Sequence, residues 1–75
     1  MSERDEQLER GARPQLLTSG EIAKVIRLNE RKVRYWLDRD VWPYRWIGGQ
    51  RYVKDADLIR WAHLNGIDLD WLAVV

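Results

Sequence analysis

The rhythm of apolar positions changes three times along this chain. After Met1, only Leu8 and Ala12 are apolar in the first fifteen residues. Glu6/Arg10 and Glu9/Arg13 stand at i,i+4 in the favourable order, but one apolar residue cannot pin a helix to a core. Gly11 and Pro14 end any such helix, so residues 1–15 read as a flexible or loosely helical arm. Ile22, Val25 and Ile26 then mark one helical face, and Thr18 with Glu21 forms a capping box at its start. Arg27-Leu28-Asn29 interrupts the run. Asn29 suits the N-cap of a second helix, in which Val33, Trp36 and Leu37 share a face and which ends before Pro43. Tyr44-Arg45-Trp46-Ile47 and Gln50-Arg51-Tyr52-Val53 flank Gly48-Gly49, the pattern of a hairpin with a primed turn. A third helix starts near Asp55, with Leu58, Trp61 and Ala62 on one face. Gly66 closes it, and Ile67 is placed for the hydrophobic closing contact. Residues 16–66 form the predicted domain, mainly α with a small β-hairpin, and 67–75 an apolar tail.

Composition narrows the chemistry. The chain has no Cys, one His (His63) and two Ser (Ser2 and Ser19). Disulfides, zinc-thiolate sites, a hydrolytic triad and a His-rich metal site cannot be built from this set. No catalytic residue, metal or cofactor is expected, and the chain reads as a non-enzyme. Met1–Gln7 is polar and charged, unlike a signal peptide, and no apolar run approaches the ~20 residues of a membrane span. A soluble, cytoplasmic domain without membrane contact is the expectation. The net charge of +1 hides an asymmetry. Residues 20–54 carry nine Lys/Arg against four Asp/Glu, whereas residues 1–19 and 55–75 are net acidic. A basic stretch in a near-neutral chain is a localised footprint for an anion, double-stranded DNA foremost.

Two short helices with a three-residue break, followed by a hairpin, describe a winged helix-turn-helix. Steeply crossing helices need a small residue at their contact, and Ala23 is suitably placed. Ile22, Ile26, Leu28, Val33 and Trp36 are the expected mini-core. With Val33 inward, Trp36 and Leu37 fall on the buried side. Arg31, Tyr35 and Asp38 fall opposite, flanked by Lys32, Arg34 and Arg39. Such a cationic face with one aromatic suits a major groove, and the Tyr35 hydroxyl can bond a phosphate oxygen. Trp36 and Trp61 sit at core spacing. Trp42 and Trp46 are read as packing the wing against the helices, His63 as a surface residue, and Trp71 has no periodic partner in the tail.

From Leu17-Thr18 to Trp61 the chain resembles the excisionase-type winged-helix domains, relatives of the MerR-like regulators. Lys32-Val33-Arg34-Tyr35-Trp36-Leu37 resembles the R-Y-aromatic segment of the MerR-like recognition helix. The run V-W-P-Y-R-W-I-G-G-Q-R-Y-V-K-D-A-D-L-I-R-W from Val41 to Trp61 is similar to the excisionase-type order of proline, strand, Gly-Gly, strand, D-L and Trp. The resemblance implies DNA binding through Arg31, Lys32, Arg34 and Tyr35 on the second helix and Arg45, Gln50 and Arg51 on the wing; the helical wheel adds Arg39. Two positions depart from the pattern. Arg27 stands where the turn usually holds Gly, so either it is left-handed at a cost of ~1 kcal/mol or the turn differs. Trp46 stands where the family often has a basic wing residue.

The resemblance further implies a phage or mobile-element excisionase, a recombination directionality factor in a bacterial host cell. Such a protein binds and bends attachment-site DNA to promote excision by an integrase. The alternatives are a small MerR-like transcriptional regulator and a protein-interaction adaptor without DNA contact. A recognition module of a phage packaging enzyme would come with a longer chain. One short site offers little specificity, so self-association on DNA or an integrase contact is expected, with Leu69, Trp71 and Leu72 of the tail as the partner surface. The competing possibility is that the tail folds back and completes the core.

Overall fold

The structure of the chain, a computed structural model, describes residues 13–74. The arm proposed for residues 1–15 therefore lies outside the described residues up to position 12. The described part is mainly helical, with three helices and a three-stranded antiparallel sheet.

Helix α1 spans Ser19–Ile26. Its capping box is complete: the Glu21 N–H donates to Thr18 Oγ1 at 3.2 Å, and the Thr18 N–H donates to Glu21 Oε1 at 3.0 Å. Both bonds satisfy donors that a helix start leaves unpaired. Arg27 ends α1 in the left-handed region, φ 61°. The Arg27 and Leu28 N–H groups both donate to the Ala23 carbonyl, so the turn closes without a glycine. Helix α2 spans Glu30–Asp38, and Asn29 Oδ1 accepts the Lys32 N–H at 2.8 Å as its N-cap. α2 stops short of Pro43, and the proline does not make the stop. Asp40 is left-handed, φ 58°. The Val41 N–H donates to the Trp36 carbonyl and the Asp40 N–H to the Leu37 carbonyl, each at 3.1 Å, a Schellman motif with Asp in the usual glycine position.

Strands β2 (Arg45–Ile47) and β3 (Gln50–Lys54) pair in the register Ile47↔Gln50 and Trp46↔Arg51. Gly48 and Gly49 both have positive φ, 58° and 80°, as a type I′ turn demands. The hairpin is not the whole sheet. Strand β1 (Leu16–Leu17) pairs with β3 on its other edge, Leu17↔Val53, which makes β3 central. Two residues carry no alternation signal, so this strand was not expected. Helix α3 (Asp55–Asn65) follows β3 directly. Its first N–H, on Asp55, donates to the Gln15 carbonyl at 2.9 Å, and Arg13 Nε donates to Asp55 Oδ2 at 2.9 Å. Residues 13–15 thus belong to the folded unit rather than to an arm. Gly66, φ 65°, ends α3, and the Ile67 N–H donates to the Ala62 carbonyl at 2.9 Å.

Leu17, Ile22, Val25, Val33, Leu37, Trp42, Val53 and Leu58 form the fully buried centre, and Ala23 of α1 is buried with them. Two expected core positions move. Leu28 is exposed, because it follows the left-handed turn at Arg27, and Trp36 is only half-buried at the edge of the core. The residue at the centre is Trp42, 1% exposed. Its ring meets those of Trp36 and Trp61 edge-on at 5.8 and 5.1 Å, and Trp36 meets Trp61 at 5.5 Å. Its indole N–H has no acceptor among the described residues.

The tail is the main correction. Trp71–Val74 forms a 3₁₀ turn, and Leu69, Trp71 and Val74 pack against the core. The Asp70 N–H donates to the Val25 carbonyl at 2.8 Å, Asp70 pairs with Arg27 at 3.4 Å, and the Arg13 guanidinium lies over the Trp71 ring. Leu69 and Trp71, expected on a partner surface, cover this chain's own apolar side chains, which a domain of this size has few other means of covering. Leu72 alone of the three stays exposed. Among the described residues no helix is long and apolar enough to cross a membrane.

Candidate nucleic-acid interface

The outward face of α2 follows from the helical period. Val33 and Leu37 are buried, so positions 31, 35 and 39 form a stripe on the far side. Arg31, Tyr35 and Arg39 are all exposed. Tyr35, 48% exposed, lies between two cations: Arg39 Cζ stands 4.9 Å and Lys32 Nζ 5.9 Å from its ring centroid. Lys32 Nζ is also 5.3 Å from the Trp36 ring. These cation–π contacts orient the side chains without consuming their charge. Arg31 has no ion-pair partner among the described residues. With Asn29, Lys32 and Tyr35 it lines a shallow groove of about 350 Å³ at the start of α2. Four sequence-selected residues, Arg31, Lys32, Tyr35 and Arg39, are thus brought together on one open surface.

Arg34 is engaged differently. Its Nη2 donates to Glu30 Oε2 at 2.9 Å, and the same carboxylate oxygen accepts the Ser19 hydroxyl at 3.2 Å. The Arg34–Glu30 pair is exposed, and exposed i,i+4 pairs contribute only about 0.3–0.5 kcal/mol. A phosphate could compete for this guanidinium at little cost.

The three hairpin residues do not act as one set. Side chains alternate between the faces of a strand. In this register Tyr44, Trp46, Arg51 and Val53 share one face, and Arg45, Ile47, Gln50 and Tyr52 the other. Arg45 and Gln50 are exposed, and Arg45 has no ion-pair partner among the described residues. Arg51 is turned inward instead: its side chain is only 16% exposed, and Nη1 donates to Asp38 Oδ1 at 2.6 Å. It therefore ties the hairpin to the last residue of α2. Its guanidinium also lies 5.4 Å from the Tyr44 ring and 5.6 Å from the Trp46 ring. Trp46, expected to pack the hairpin onto the helices, is 65% exposed.

Two features of this surface were missed from the sequence and were legible there. Once Gly48-Gly49 is set as a two-residue turn, Trp46 and Arg51 must oppose each other. Likewise the i−3 and i+4 spacings of Lys32 and Arg39 about Tyr35 put both cations beside its ring. The Asp38–Arg51 pair had no such signal, because it depends on how the hairpin folds back on α2. Among the described residues no group of three or more His, Asp or Glu is arranged to hold a metal ion. Comparison with known protein families, with curated proteins and with solved structures finds no match.

Proposed function

We propose that this chain is a double-stranded-DNA-binding protein of winged helix-turn-helix type. In this reading α2 enters the major groove and the β2–β3 hairpin, as the wing, meets the adjacent backbone or minor groove. One observation carries it: Arg31, Lys32, Tyr35 and Arg39 share the open face of α2, and none of the three cations pairs with an acid among the described residues. A face that only kept the chain in solution would tolerate mixed signs; Glu30 and Asp38 are instead drawn off by Arg34 and Arg51. Arg31 is the proposed base reader, since a first-turn Arg can make a paired contact to guanine. Lys32, Arg39 and Arg45 are the proposed phosphate contacts, joined by Tyr35 through its hydroxyl, and by Gln50 and Arg34 at the margins.

Within this class, the likeness of the segment from Leu17 to Trp61 to excisionase-type domains supports the narrower reading. The chain would act without strand chemistry, as a recombination directionality factor that bends attachment-site DNA for an integrase in the cytoplasm of a bacterial host. A MerR-like regulator would use the same surface at a promoter. A footprint on the element's own DNA separates the two, through protected tandem repeats at the attachment site or a protected promoter alone. The base-reading role is tested by Arg31→Ala in a gel shift on a selected duplex and on random duplex. Affinity for the selected site should fall by about 1–3 kcal/mol, with little loss on random DNA. Equal losses on both would remove Arg31 as the reader.

A further inference from the structure

Among the described residues Trp46 is the largest apolar side chain left exposed. Single exposed apolar residues are ordinary, but this one is held in place. The Tyr44 ring meets it edge-on at 6.2 Å with an interplanar angle of 83°, and the Arg51 guanidinium lies 5.6 Å from its centroid. Arg51 is in turn fixed by Asp38 of α2 at 2.6 Å. The indole is thus supported from behind and open in front. Beyond it the hairpin is bare. Apart from their chain neighbours, Gly48 and Gly49 have no atom within 4 Å of where a Cβ would stand, so the two turn residues add no side chain and touch none. Ile47, exposed on the opposite face, flanks the same turn.

We infer that this tip is a DNA-bending wedge: it enters the minor groove and sets Trp46 against a base step, partly unstacking it. The inference rests on the DNA-binding reading of α2 and adds to it the means of bending. Three observations favour duplex DNA over an apolar protein surface as the occupant. Arg45, on the opposite face of the same strand, has no acidic partner among the described residues, Arg51 stands behind the Trp46 ring, and Asp38, the carboxylate that reaches Arg51 from α2, is already paired. A minor groove about 6 Å wide excludes a helix but admits a tip without side chains. Apolar side chains inserted there kink the duplex by about 20–90°.

The experiment compares the full chain on two probes: an intact duplex of mixed sequence, and the same duplex with a short central single-strand gap. A wedge must unstack the intact duplex but not the gapped one, so wild type should bind the gapped duplex about tenfold more tightly. Trp46→Ala should reduce that ratio to about one while keeping the melting temperature, because the ring is exposed. Trp46→Phe, which keeps an apolar plane, should retain most of the preference. Firm wild-type binding to both duplexes with a ratio near one overturns the wedge and leaves the DNA reading standing, as does a Trp46→Ala protein that keeps the full preference. Binding to neither duplex overturns the DNA reading, and the wedge with it.

Discussion

The guanidinium of Arg31 opens onto the groove beside Asn29, Lys32 and Tyr35, whereas that of Arg51 is closed onto Asp38 between two aromatic rings. Both residues carry one positive charge, so the sequence treats them alike; only the folded hairpin separates a cation with no acidic partner among the described residues from a tether. This difference has a consequence that charge alone does not give. If Arg51 acts by fixing the hairpin against α2, Arg51→Ala and Asp38→Ala should weaken duplex binding by the same factor on every sequence, although they change the net charge in opposite directions. Each should lower stability by less than about 1 kcal/mol, as befits a pair with one exposed partner. Paired binding isotherms for the two variants check this. Tighter binding by Asp38→Ala would mean that Arg51 is an ordinary phosphate contact held back by its neighbour. Arg27 shows a second limit of reading residue by residue. Its left-handed conformation was one of two open possibilities, and the double hydrogen bond onto the Ala23 carbonyl is what makes it tolerable.

At the scale of elements, the three helices and the β2–β3 hairpin were legible because each carries its own punctuation. Thr18 with Glu21, Asn29, Gly48-Gly49 and Gly66 each dictate a local geometry that needs no tertiary partner. Strand β1 and the 3₁₀ turn were not legible: two residues at Leu16–Leu17 and four at Trp71–Val74 are too few for any period. They exist because β3 offers a free edge and α1 an uncovered face. The tryptophans follow the same division. Spacing marked Trp36 as core, but the Schellman turn at Asp40 swings Trp42 into the centre instead. Trp42→Ala should therefore cost about 3–5 kcal/mol, enough to unfold most of a domain this small. Trp36→Ala should cost only about 1–2 kcal/mol, its edge-on contacts plus partial burial; denaturant melts of the two variants rank them, and the reverse order would misplace the centre. Deleting residues 68–75 removes Leu69, Trp71 and Val74 from the core and the Asp70–Val25 hydrogen bond. We expect a loss of about 2–4 kcal/mol, seen as a Tm lower by about 10–30 °C. A truncated chain that melts like the full one but loses cooperative binding would restore the tail to the role of partner surface.

Over the whole molecule, the pairing of charges matters more than their sum. Asp55 pairs with Arg13 and Asp70 with Arg27, so two acids of the negative C-terminal third are matched away from the α2 face. Arg31, Lys32, Arg39 and Arg45 stay without acidic partners among the described residues, on α2 and the hairpin. The described part measures 37 × 29 × 19 Å, so its long axis spans roughly 11 base pairs at about 3.4 Å per pair. Under the proposed function one copy would read only a short site, and occupancy in a genome would require adjacent copies or a second protein. The central claim, that this surface binds duplex DNA through its cations, is tested most directly by the affinity of the full chain for a mixed-sequence duplex across a salt series. With Lys32, Arg39 and Arg45 on phosphates, log K should fall against log salt with a slope of about −2.5 to −3, and Lys32→Ala should reduce that slope by about one. A slope near zero, or no binding at low salt, would contradict the account.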